Sequence, residues 1–149
     1  MTPDELDHAT RLAVYQHLLD TGKAPGVSDL AERIDAEPDL VGEALDRLAA
    51  RHVLVLQPGT RDLWMAMPFS AVPTGFQVAT HRGTWWANCA WDALGISAML
   101  AAPATIATTC ADCGEAVEVR TTGEALAAGA GVVHFAVPAA QWWEDIGFT

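Results

Sequence analysis

The stretch Val53-Leu54-Val55-Leu56-Gln57-Pro58-Gly59-Thr60-Arg61-Asp62-Leu63-Trp64-Met65 decides the fold. Two apolar runs flank a Pro-Gly turn, the pattern of a two-stranded hairpin. Upstream the period changes. From Pro3 to Asp20, Leu6, Ala9, Leu12, Ala13, Tyr15, Leu18 and Leu19 recur at three- and four-residue spacing, which predicts an amphipathic helix ended by Gly22. A second helix opens at Ser28, read as its N-cap, and runs through Leu30, Ala31 and Ile34. A third starts at Pro38 and carries Leu40, Val41, Leu45, Leu48 and Ala49. Three helices followed by a hairpin is the winged-helix order.

Downstream, Pro68, Pro73 and Gly75 break up regular structure and mark a linker over 68–75. Beyond it the sequence predicts strands over Phe76 to Ala79, Thr105 to Thr108, Ala116 to Thr121 and Gly131 to Val137, with a helix from Cys89 to Leu100. Trp142 and Trp143 are expected to cover the core of this half. The predicted class is α+β. An N-terminal three-helix, winged-helix-like domain (1–67) is followed by a C-terminal mixed, mainly antiparallel sheet domain (76–149) that carries a site helix.

Composition narrows the function. The formal net charge of -11 repels phosphate backbones and anionic membranes, so neither nucleic acid nor membrane is an expected partner. The helix that would enter a major groove carries Asp39, Glu43 and Asp46 against Arg47 and Arg51, and so lacks a basic face. A scaffold role for the winged helix is therefore preferred to a regulator's. The longest apolar region, Ile96 to Ala107, is shorter than the roughly 18 residues of a membrane span and contains Pro103. No basic, apolar leader opens the chain. These features predict a soluble cytoplasmic protein, in which three cysteines are reduced thiols rather than a disulfide framework.

Two segments can carry chemistry. In Trp85-Trp86-Ala87-Asn88-Cys89-Ala90-Trp91-Asp92, a thiol and a carboxylate stand three residues apart at the start of the predicted site helix, on one face. The helix N-terminus favours an anion, which predicts a lowered Cys89 pKa and a thiolate able to bind a soft metal, with Asp92 placed to pass a proton. The alternative is a buried cysteine and a capping aspartate. Trp85, Trp86 and Trp91 flank Cys89 and could wall an apolar pocket. In the second segment, Cys110-Ala111-Asp112-Cys113-Gly114-Glu115, a C-x-x-C-G knuckle supplies two of the four ligands that zinc needs. It is a half site shared with Cys89, a redox pair, or a plain turn. His134, within Val132-Val133-His134-Phe135, is expected to be a hydrogen-bonded core residue. His8, His17, His52 and His81 have no ligand spacing, and neither a phosphate-binding Gly-rich loop nor a Ser-His-Asp set is present.

Taken together, the linker Pro68-Phe69-Ser70 with Pro73-Thr74, the core Cys89-Ala90-Trp91-Asp92-Ala93-Leu94-Gly95, the Cys110 turn and Val133-His134-Phe135 followed by Trp142 resemble the alkylmercury lyase (organomercurial lyase) family. The resemblance spans most of the chain. It implies an N-terminal winged-helix-like domain that does not bind DNA and a C-terminal sheet domain that holds the site. It also implies protonolytic cleavage of a carbon-mercury bond, with Cys89 as the soft-metal thiolate, Asp92 as the proton donor and Cys110 as a more structural residue. The enzyme class would be an organomercurial lyase, needing no organic cofactor and acting on a small organometal.

The family's second catalytic cysteine lies three residues before the histidine of the V-H-F segment, and Gly131 stands there. Relatives also continue beyond Thr149, so a strand or a further cysteine is expected outside this sequence. The metal set expected here is Cys89, Cys110, Cys113 and Asp92, with Hg, Cu or Zn as the ion. The alternatives are a soft-metal binding protein without turnover and a winged-helix regulator.

Overall fold

A computed structural model describes residues 1–148; Thr149, at the end of the expected 76–149 domain, lies outside the described residues. The chain opens with α1 (Pro3–Thr21), α2 (Val27–Ile34) and α3 (Pro38–Ala50). A capping box starts α1: the Thr2 hydroxyl accepts from the Glu5 amide at 3.3 Å while the Glu5 carboxylate accepts from the Thr2 amide at 2.7 Å. The second helix starts earlier than expected, with Gly26 rather than Ser28 as its N-cap. The Asp29 carboxylate causes this by accepting from the Gly26 amide at 2.8 Å. Arg47 of α3 reaches back to the buried Asp7 of α1 at 2.7 Å and locks the two helices together.

The predicted hairpin is β1 (Val55–Leu56) with β2 (Leu63–Ala66), paired antiparallel. After the cis Met67-Pro68 bond, Phe69–Ser70 form a short strand, β3, inside the stretch expected as a linker. Then come β4 (Gln77–Thr80), β5 (Gly83–Ala87), α4 (Ala90–Leu100), β6 (Ala104–Thr109), β7 (Ala116–Thr121) and β8 (Leu126–Ala128), with a short 3-10 helix over Ala139–Glu144. The strands build one antiparallel sheet in the order β1-β2-β3-β5-β4-β6-β7-β8.

One apolar cluster unites the helices with the sheet. Val14 and Leu18 of α1 and Val41 and Leu45 of α3 belong to the same core as Phe69, Val78, Trp85, Ile96 and Ile106. Two polar contacts stitch this junction: the Trp85 indole donates to the Leu18 carbonyl at 2.8 Å, and the Tyr15 hydroxyl donates to the Met67 carbonyl at 2.9 Å. Buried polar groups satisfied in this way fix the register of packed elements as well as contributing to stability. Among the described residues, no helix is long and apolar enough to cross a membrane.

The strand expected over Gly131 to Val137 does not form. Pairing ends at β8, and Gly129 and Gly131 hold φ of 131° and 130°, a conformation that interrupts an extended strand. Residues 129–138 instead run as an irregular strap toward the 3-10 helix. Phe135 of the strap lies 5.1 Å from Trp142 of the 3-10 helix, and Trp143 of that helix stacks on His52 at 3.9 Å.

Candidate active site

The fold places one thiol and one carboxylate where the sheet meets α4. β5 ends on the buried Ala87, whose amide donates to the Phe76 carbonyl at 3.0 Å. The chain then turns through Asn88, and Cys89 becomes the N-cap of α4 with extended backbone angles. Its carbonyl accepts the Ala93 amide at 2.9 Å and so starts the helix. Asp92 falls in the first turn, on the Cys89 side, as the three-residue spacing requires.

Asn88 holds this arrangement. Its Nδ2 donates to the Phe69 carbonyl at 3.2 Å and to Asp92 Oδ2 at 3.0 Å, which ties the helix start to β3. Both partners are acceptors, so the amide orientation is fixed and Oδ1 is left buried without a protein partner. Nothing in the sequence singled out Asn88. An asparagine four residues before an acid at a helix start is the one local signal available.

Burial sets the electrostatics. Removal from water pushes the Cys89 thiol up, and the nearby Asp92 charge adds to this, while the Asp92 and Trp91 amides pull the other way. These amides face the sulfur without closing a capping hydrogen bond. The lowered thiol pKa expected from the helix start is therefore overturned, because desolvation outweighs the amides. Burial also raises Asp92, against hydrogen bonds from Asn88 and the Cys89 thiol that hold it down. The resting pair is thus a thiol that donates to a carboxylate whose proton affinity is raised by burial. On α1, burial pushes the Tyr15 hydroxyl up, and the Asp92 charge adds a smaller push in the same direction.

Two cavities adjoin the pair, and Asn88, Cys89 and Trp142 border both. The larger, about 190 Å³, is completed by Phe76 and by the strap residues His134, Phe135 and Val137. The smaller, about 100 Å³, is completed by Met65, Met67, Trp91, Asp92 and Ile146. His134 is exposed rather than a core residue, and it faces the thiol's cavity. Of the tryptophans flanking Cys89, Trp85 is in the core and Trp91 lines the smaller cavity.

Cys110 and Cys113 lie elsewhere, in the loop joining β6 to β7, and line neither cavity. Among the described residues, no three His, Cys, Asp or Glu side chains come together to hold a metal. Cys89, Cys110, Cys113 and Asp92 thus form two pairs rather than the single metal set expected. The cause is topological: Cys89 follows β5, Cys110 follows β6, and β4 runs between these strands. Gly131 is exposed, with no atom within 4 Å of where a Cβ would stand.

Comparison with known proteins follows the same outline. The family model for alkylmercury lyase matches residues 69–149. A crystal structure described as the mercury-bound form of MerB2 is similar in fold, with a TM-score of 0.64 and 26% sequence identity. The similarity covers 84% of this chain and 59% of that one, so the chain spans about three-fifths of the solved relative's length. No curated protein sequence matches the chain.

Proposed function

The chain belongs to the alkylmercury lyase family, and from this we propose that it cleaves the carbon-mercury bond of a small organomercurial by protonolysis, with Cys89 as the mercury ligand and Asp92 as the proton donor. The observation that carries the proposal is the Cys89–Asp92 pair, half-buried at the junction of two largely apolar cavities. Soft Hg(II) binds thiolate in preference to oxygen ligands. When R-Hg-X enters, mercury bonds to the Cys89 sulfur, X leaves as an anion, and the thiol proton passes to the Asp92 carboxylate. Asp92 then gives that proton to the carbon, the carbon-mercury bond breaks, and R-H departs. Hg(II) stays on Cys89 until a thiolate from solution takes it.

Each chemical feature of the pair supports its role. A carboxyl group whose pKa is raised by burial holds a transferable proton better than an exposed one. The apolar walls suit a hydrocarbon leaving group, and Asn88 fixes the acid beside the sulfur. No organic cofactor enters the scheme. A nucleic-acid role is not proposed, because Arg47 is engaged by Asp7 and Arg61 by Asp46, each at 2.7 Å.

A second reading, retention of a soft metal ion (Hg or Cu) without turnover, is favoured by Gly131. That position supplies no second thiolate to weaken the carbon-mercury bond. Hydrocarbon release separates the two. With phenylmercury and excess small thiol, the parent chain is expected to liberate benzene, and Cys89→Ser none above buffer. Equal rates for parent and Cys89→Ser would refute the lyase proposal, while mercury retained without benzene would select the binding reading.

A further inference from the structure

The C-x-x-C hairpin end is unused by the chemistry above, yet it is built with more care than a plain turn requires. Strands β6 and β7 pair as far as Thr109 opposite Ala116. One further rung follows, the Cys110 amide donating to the Glu115 carbonyl at 2.8 Å. Within the loop the Gly114 amide donates to the Cys110 carbonyl at 2.9 Å, and Gly114 adopts a φ of 75° that glycine allows without strain. This closure turns Cys113 back onto Cys110. The Asp112 and Cys113 amides and the Cys113 thiol lie within hydrogen-bonding reach of the Cys110 sulfur. Both thiols are free, and Cys113 is exposed.

The ligand class follows from the donor count. Two thiolates are half of a tetrahedral zinc site. No third His, Cys, Asp or Glu joins them among the described residues. Linear d10 cations need only two soft ligands. We infer that Cys110 and Cys113 form a second soft-cation site, independent of Cys89, that binds one two-coordinate ion such as Hg(II). Binding forms two sulfur-metal bonds and releases two thiol protons.

The register also places this site at the same end of the sheet as the first. Trp86, Gln77 and Ala107 stand in one row across β5, β4 and β6, and Cys89 and Cys110 each lie three residues beyond it, at the same end of the sheet. Two strand spacings, roughly 10 Å, separate β5 from β6. Mercury released at Cys89 would then leave at the end of the sheet that also carries the hairpin dithiol. An acceptor role for that dithiol rests on the proposed lyase reaction, whereas binding at the hairpin does not.

The test uses the full chain with Cys89→Ser, which removes the first site. After incubation with Hg(II) and a small monothiol in excess, then gel filtration, native mass spectrometry is expected to count one Hg(II) per chain. Cys89→Ser combined with Cys110→Ser or with Cys113→Ser is expected to retain none, with circular dichroism confirming that each variant is folded. The inference is overturned if Cys89→Ser retains no ion, if either double variant retains as much, or if one ion bridges two chains. Benzene release by the parent chain reads the lyase proposal separately, so the two can fail independently.

Discussion

Replacing Asp92 with asparagine separates mercury capture from proton delivery. The amide has the shape of the carboxylate, and its oxygen can still accept from Asn88 Nδ2, which now meets Asp92 at 3.0 Å. The site keeps its contacts and loses only its acid. A positioned proton donor contributes about 10² to 10⁴ in rate, which corresponds to about 2.7 to 5.5 kcal/mol of barrier. Stability moves in the other direction. Burial raises Asp92 in the folded chain, so folding favours its protonated form. That contribution is fully present below the unfolded value of about 3.9 and is lost as pH rises through the raised folded value. Asparagine does not titrate. The melting temperature of Asp92→Asn relative to the parent is therefore expected to climb as pH rises from about 3.9 through the raised folded value. Headspace chromatography of benzene from phenylmercury, native mass spectrometry of bound Hg(II) and thermal melts across pH read all three effects. Cleavage within about threefold of the parent, or joint loss of cleavage and mercury retention, would refute the division of roles.

Asn88→Ala removes a hydrogen bond that holds the Asp92 pKa down, so the alkaline limb of the cleavage profile should move to higher pH; an unmoved limb would show that Asn88 does not act through Asp92. Phe69→Ala empties a fully buried position at the join of helices and sheet, and should cost about 3 to 5 kcal/mol. At about 2 to 4 °C per kcal/mol, the melting point should fall by about 6 °C or more by differential scanning fluorimetry. Trp85→Phe keeps most of the buried ring and loses the 2.8 Å bond to the Leu18 carbonyl, which still accepts the Gly22 amide. The expected cost is about 1 kcal/mol, seen as faster amide exchange in α1. Gly131→Ala forces a side chain onto a φ of 130° at a strain of about 1 to 3 kcal/mol. Because the strap adds no residue to the buried core, limited proteolysis of 129–138 should quicken with little change in melting point.

The readable parts of the sequence were those whose side chains repeat a period. The three helices, the hairpin and the sheet-forming runs over Thr105 to Thr108 and Ala116 to Thr121 each show an apolar spacing that fits their element, although Leu12 and Leu40 of that spacing are exposed. Strand β5 is not legible, because in Thr84-Trp85-Trp86-Ala87 apolar residues stand on both faces and no alternation marks a strand, and the three-residue β8 is exposed throughout. Val132-Val133-His134-Phe135 misled in the opposite sense: four residues suited to a strand have no neighbour to pair with after Gly129 and Gly131 redirect the backbone. At the site, the Cys89–Asp92 pairing was legible because helix geometry alone brings residues three apart together. The direction of the Cys89 shift was not, since desolvation depends on Trp142, Phe76 and the strap, which reach the thiol only through tertiary packing.

The same distinction explains why this chain parts its thiols. A bis-thiolate lyase site needs a second sulfur delivered to Cys89 by the strap, and the strap here holds Gly131 in a conformation that any cysteine would strain. The hairpin does not bring that second sulfur to Cys89, because β4 runs between β5 and β6. What the sheet supplies instead is a row: one thiol beside an acid, walled by apolar side chains, and a pair of thiols on a solvent-facing turn at the same level. Bond cleavage needs a dry site that retains a proton, whereas holding the released ion needs ionised sulfur. Burial raises the Cys89 thiol, while backbone amides lower Cys110. The ends of β5 and β6, with β4 between them, set these two thiol environments apart.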